Sequence, residues 1–107
     1  LYKAKLVLEM YIRTASIKFP SQEKADAFVA MSKTIWFPKV DKEELNTEQI
    51  IVETGEGKIL GIGIYSSETD FLKSRDDGKK TWNDFIKSFD GIVEWQNGHV
   101  VAHYKRN

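Results

Sequence analysis

Along the pattern of hydrophobic and polar positions, the clearest strand runs from Lys58 to Ser66, K-I-L-G-I-G-I-Y-S. Side chains alternate faces along a strand, so Ile59, Gly61, Gly63 and Tyr65 share one face and Leu60, Ile62 and Ile64 the other. One face is branched and bulky, and the other lacks two side chains in its middle. Glycines placed so predict a bulge, a close backbone approach, or room for a ligand; we take them as room for a ligand. Gly55-Glu56-Gly57 is a hairpin turn that makes a strand over Leu45 to Thr54 the antiparallel neighbour. In that strand Ile50 and Val52 face one way, and Gln49, Ile51 and Glu53 the other.

Alternation also runs from Tyr2 to Phe19, with a phase change near Tyr11. A single strand of that length would reach roughly 60 Å, too long for one small domain. A bulge, bend or crossing to another subunit is expected near Met10, which is also a candidate start of the natural chain. We divide the sequence into an N-terminal arm or strand extension (1–10) and one domain (11–107), with a firm strand from Tyr11 to Phe19. Pro20 ends that strand and Ser21 is an N-cap. Ala25, Phe28, Val29, Ser32 and Ile35 or Trp36 then fall at helical spacing. The residue before Pro38 disfavours helical geometry, so the helix should stop by Phe37. A charged loop, Lys39 to Asn46, follows.

Ser66 to Asp70 is rich in capping residues and starts a helix through Phe71 and Leu72. Asp76-Asp77-Gly78 should interrupt it, and Trp82, Phe85, Ile86 and Phe89 mark a second helical stripe closed by Asp90-Gly91. Ile92 to Trp95 and His99 to Lys105 are strand-like, joined by Gln96-Asn97-Gly98. Asn-Gly is a strong hairpin signal, so this end is a hairpin or one strand with a bulge. The order β-α-β-β-α-β predicts an α+β, ferredoxin-like sandwich: an antiparallel sheet with both helices on one face. The opposite face, with Leu60, Ile62 and Ile64, would stay open and apolar, and a two-fold dimer joined sheet to sheet would bury it.

Composition narrows the function classes. Sixteen basic and sixteen acidic residues cancel in 107, which leaves no basic excess for nucleic acid. No apolar run approaches the ~20 residues of a membrane span. Leu1 to Met10 lacks the continuous apolar core of a signal peptide. With no cysteine, thiolate chemistry and disulfides are excluded, which fits a cytoplasmic protein.

The third strand and its sequel, G-I-G-I-Y-S-S-E-T-D-F-L-K-S-R, then W-N-D-F, and the last strand V-V-A-H-Y, resemble the dimeric α-β barrel superfamily. Within it they resemble the antibiotic biosynthesis monooxygenase-like proteins. The resemblance spans about residues 11 to 105. It implies a homodimer with a pocket between sheet and helices in each protomer. The superfamily includes cofactor-free monooxygenases acting on polycyclic aromatics, haem-degrading enzymes and isomerases. The haem-degrading branch uses an Asn on strand one, an aromatic ending strand three and a His on the second helical segment. Here those places hold Arg13 and Thr14, Tyr65, and Lys73 and Ser74, so only the aromatic matches. Fold alone does not choose among these activities.

A cavity over Gly61 and Gly63 would be walled by Tyr65, Phe28, Trp82 and Phe85 and would take a mostly apolar ligand, a flat aromatic or a long aliphatic chain. Each of these aromatics is equally suited to plain core. Arg13 shares an apolar strand face with Tyr11, Ala15, Ile17 and Phe19; it can bind a carboxylate bidentately or snorkel to the surface. Arg75 is a weaker second anion anchor. His99 and His103, four apart on a strand, lie roughly 13 Å from each other, too far for one metal ion, so no metal site is expected. Either His has a pKa suited to proton shuttling. Tyr65 and Tyr104 can bond a substrate oxygen. Asp70, Asp76 and Asp77 lack calcium-loop spacing. For an enzyme, Tyr65 and His103 would move protons, Trp82 would stack the substrate and Arg13 would hold an anion, without a cofactor. The alternative is a non-catalytic carrier of an aromatic or fatty-acid-like ligand, or a purely structural dimer.

Overall fold

A computed structural model describes residues 9–39 and 46–107. The N-terminal arm (1–8) and most of the charged loop expected at Lys39 to Asn46 lie outside the described residues. Four strands and two helices follow in the order β1 (Tyr11–Lys18), α1 (Gln22–Met31), β2 (Asn46–Gly55), β3 (Lys58–Tyr65), α2 (Glu68–Lys87) and β4 (Ile92–His99). The strands form one antiparallel sheet in the order β2-β3-β1-β4. This is the α+β ferredoxin-like arrangement, with both helices on one face.

Register aligns the sheet in rows across that face. Gln49, Gly63, Arg13 and Asn97 form one row, Ile51, Gly61, Ala15 and Trp95 the next, and Glu53, Ile59, Ile17 and Val93 a third. Phe28 from α1 and Trp82 and Ile86 from α2 close over Ala15, Ile17 and Ile59 to make the main core. Tyr11, Tyr65 and Phe71 form a separate buried cluster at the other end of β1. Both helices begin with a serine cap: Ser21 Oγ accepts from Lys24 N and Ser67 Oγ from Asp70 N, each at 3.2 Å. Each cap satisfies an N–H that the first turn leaves without an internal partner.

Three local expectations are corrected. The first concerns Pro38. Phe37 keeps helical angles (φ −59°, ψ −43°) and helical backbone continues to Lys39. A π-helical turn at Ser32–Trp36 widens the helix just before the proline, where Phe37 N bonds Ser32 O. Buried Ser32 donates to Phe28 O at 2.8 Å within that turn. The phase change buries Trp36 and leaves Ile35 exposed.

Asp76-Asp77-Gly78 does not interrupt α2, which runs unbroken for 20 residues. Gly78 lies on the same stripe as Phe71, Trp82 and Ile86, at spacings of seven, four and four. A β-carbon there would stand 3.5 Å from Arg13 Nη2. That is an ordinary van der Waals distance, so Arg13 packs beside the glycine and the helix runs through it. Finally, Asn97-Gly98 forms no hairpin and no bulge: β4 pairs with β1 residue for residue from Ile92 to His99. Asn97 Nδ2 donates to Tyr11 Oη at 2.6 Å, and full pairing with the central strand overrides the local turn preference. Beyond it, residues 101–107 are exposed and carry no regular secondary structure.

Asp90 takes the left-handed conformation (φ 59°) that ends α2, and the N–H groups of Asp90 and Gly91 bond Lys87 O and Ile86 O. Gly91 is required for space: a β-carbon would stand 2.7 Å from Ile86 Cγ2 and 2.8 Å from Phe19 Cε1. Gly91→Ala should therefore cost about 1–3 kcal/mol through forced core shifts. Chemical denaturation should show a lower midpoint with an unchanged slope.

Candidate functional site

The row positions leave a gap between sheet and helices. Gly61 and Gly63 form its floor, because β3 has no side chain at these two helix-facing positions. Ala15, Ile17, Ile51 and Trp95 continue the sheet side, Phe28 and Trp82 the helix side, and Arg13 and Gln49 are its polar members. The free space of the gap, including its mouth to solvent, is about 390 Å³, within the range of small-ligand pockets.

Arg13 is the unusual occupant. It is 7% exposed, and no described carboxylate pairs with it. Its guanidinium carbon lies 4.9 Å from the Trp95 ring centroid and 5.6 Å from that of Phe71. Such cation–π contacts compensate part of the lost hydration, at about 0.5–2 kcal/mol each. Nη1 is buried and has no hydrogen-bond partner among the described residues. Burial lowers the guanidinium pKa from its ordinary value, while the charge interaction with Tyr65 acts the other way. The group nevertheless stays protonated at neutral pH, so a full positive charge faces a mostly apolar gap with an N–H unused.

Neighbouring groups are held in place. Trp95 Nε1 donates to Asn83 Oδ1 at 2.9 Å, which fixes the indole beside Arg13. Gln49 Nε2 lies over Gly63, 3.2 Å from where a β-carbon would stand; the missing side chain is what lets the amide reach the gap. Among the described residues no cluster of three or more His, Asp or Glu could hold a metal ion.

Of the residues singled out in the sequence, Arg13, Phe28, Gly61, Gly63 and Trp82 line this gap. Tyr65 and Phe85 do not. Tyr65 belongs to the cluster with Tyr11 and Phe71, one row beyond Arg13. Phe85 turns into the helix–helix seam, 5.0 Å from the Phe28 ring and 5.6 Å from Phe89. His103 and Tyr104 lie in the exposed segment after β4 and approach neither Tyr65 nor the gap. His99 is half-exposed at the end of β4; its ring stands edge-on to Tyr11 at 4.9 Å, and its Nε2 is 3.7 Å from Glu68 Oε1. Arg75 is exposed beside Asp76. Sequence reasoning missed Gln49, Ile51 and Trp95. For the first two the signal was present, since the hairpin turn sets Gln49 opposite Gly63 and Ile51 opposite Gly61.

Solved structures with this fold belong to the superfamily that the sequence resembles. A dimeric ferredoxin-like protein from an uncultured marine organism aligns with a TM-score of 0.72 at 15% identity, covering 92% of this chain and 94% of its own. A monooxygenase from the ActVA-Orf6 gene of Streptomyces coelicolor, in complex with nanaomycin D, aligns at 0.76 and 6% identity over 98% and 99% of the two chains. SnoaB, a cofactor-independent oxygenase from Streptomyces nogalater, aligns at 0.60 and 6% identity over 91% and 96%. No family model and no curated protein sequence matches the chain.

An unpaired buried cation is a net cost to the fold. Arg13→Met, of similar length and without charge, should therefore raise stability by about 1 kcal/mol, the gain being cut by the lost cation–π contacts. A higher denaturation midpoint checks this. A fall of several kcal/mol would mean that the guanidinium holds the core together.

Proposed function

We propose that the chain acts as a homodimer in which each protomer binds one small, mostly apolar molecule between sheet and helices. The observation that carries the binding reading is Arg13: a buried guanidinium with a free N–H, on the wall of a gap floored by two glycines. A side chain present only for packing would be apolar there, because removing its charge would spare the desolvation cost.

Dimer formation draws on the other sheet face. Cross-strand pairs Ile50 and Ile62, Val52 and Leu60, and Ile64 and Ile12 form a continuous apolar surface. Ile50 is 40% and Val52 39% exposed in the single chain. Thr14, Ser16 and Gln96 continue the same face, and Glu48 and Glu94 stand at its two edges. An apolar patch of this kind is poorly suited to water, and a two-fold axis through it sets like against like. The dimeric ferredoxin-like proteins that share this fold support a dimer.

A second reading, cofactor-free oxidation of the bound molecule, is favoured by the shape shared with the two Streptomyces oxygenases. In that reading Trp82 stacks the substrate and Arg13 stabilises an enolate, while Tyr65 and His103 would need a route to the ligand from outside the gap. With Arg13 the only titratable side chain among the described residues of the lining, the geometry favours binding over proton-transfer catalysis.

Native mass spectrometry of protein purified under mild conditions tests the proposal. The expected result is a dimer carrying one small molecule per protomer. Ile62→Asp, which sets a charge at the centre of the open face, should convert the dimer to monomer while the circular dichroism spectrum stays folded. A monomeric wild type would sink the dimer, and no bound or bindable small molecule would sink the pocket.

A further inference from the structure

Resting on that reading of the gap, we infer that the ligand is a small monocarboxylate whose carboxylate sits against Arg13 and whose apolar part, a single ring or a short branched chain, points to the mouth. Charge count comes first. Among the described residues Arg13 is the one charged member of the lining, so one negative charge balances it. A phosphate, near two negative charges at neutral pH, would stay half compensated in a site largely shut off from water.

Shape gives the same answer. Trp95 and Phe71 stand against the guanidinium at 4.9 and 5.6 Å, and Gly78 brings the helix backbone close to Nη2. Arg13 lines the gap, and its Nη1 is buried without a hydrogen-bond partner among the described residues. A planar N–H fork matches a planar carboxylate. The Gln49 amide nitrogen, which lies over Gly63 on the same row as Arg13, is a further donor on the lining, and a carboxylate accepts from donors. Beyond the head group the surroundings are Ala15, Ile51, Phe28 and Trp82, all without charge, which suits an apolar remainder.

Calorimetric titration with benzoate, its neutral isostere benzamide and inorganic phosphate tests this on the wild-type protein and on Arg13→Met. The expected result is one benzoate per protomer, benzamide at least tenfold weaker, and no phosphate competition. Arg13→Met should weaken benzoate at least tenfold and leave benzamide unchanged, since a charge-assisted hydrogen bond contributes at least that factor. Should the variant fail to fold, the wild type alone suffices: benzoate must shift the indole N–H resonances of Trp82 and Trp95, and benzamide must not at equal concentration. Equal binding of benzoate and benzamide, unaltered in Arg13→Met, overturns the carboxylate and leaves the pocket standing. Displacement of benzoate by phosphate overturns it in favour of a phosphorylated ligand. Binding of neither organic probe overturns the inference and the pocket together.

Discussion

The structure turns on a positive charge buried where β1, β4 and α2 meet. Arg13 stands in the middle of the central strand, between the Trp95 and Phe71 rings and under Gly78. α2 passes beside it at Gly78. The two glycines of β3 leave a separation between sheet and helices, part of it taken by the Gln49 amide over Gly63. If β3 carried branched side chains at 61 and 63, the same separation would be filled and the charge would have no free volume to face. The cation and the two absent side chains therefore form one device, and neither explains the site alone.

The two sheet faces divide the work. Odd-numbered positions of β1 and β3 face the helices and build the gap; even-numbered positions build an apolar surface on the outside. Because side chains alternate strictly, one residue of slippage would exchange the two. Register is held at one end by the turn before β3, where Gly57 takes φ 70°. Gln22 at the start of α1 accepts the Gly57 N–H at 2.7 Å, and Phe19 N donates to Gly57 O at 2.8 Å. The hairpin that sets Gln49 over Gly63 is thereby tied to the end of β1.

Element order and the fold were legible because the period-2 pattern of β3, the Gly55-Glu56-Gly57 turn and the serine caps each act locally. The glycine floor was legible for the same reason. What could not be read was set by contacts between distant segments. Gly78 reads as a helix breaker until Phe71, Trp82 and Ile86 on either side of it are seen buried, which carries the helix through it. Asn97-Gly98 reads as a turn until β1 supplies a pairing partner for every residue. Phe85 shares a stripe with Trp82, yet three residues turn it by most of a helical turn into the seam with α1. His103 and Tyr65 had the right chemistry for a proton relay, but the strand that would have carried His103 ends at His99.

A crystal structure resolving ordered solvent tests the central claim most directly. The account expects density for a bound anion or water within hydrogen-bond distance of Arg13 Nη1, in open space above Gly61 and Gly63. A carboxylate of the chain itself bonded to Nη1, with α2 seated on the bare backbone of the two glycines, would contradict it.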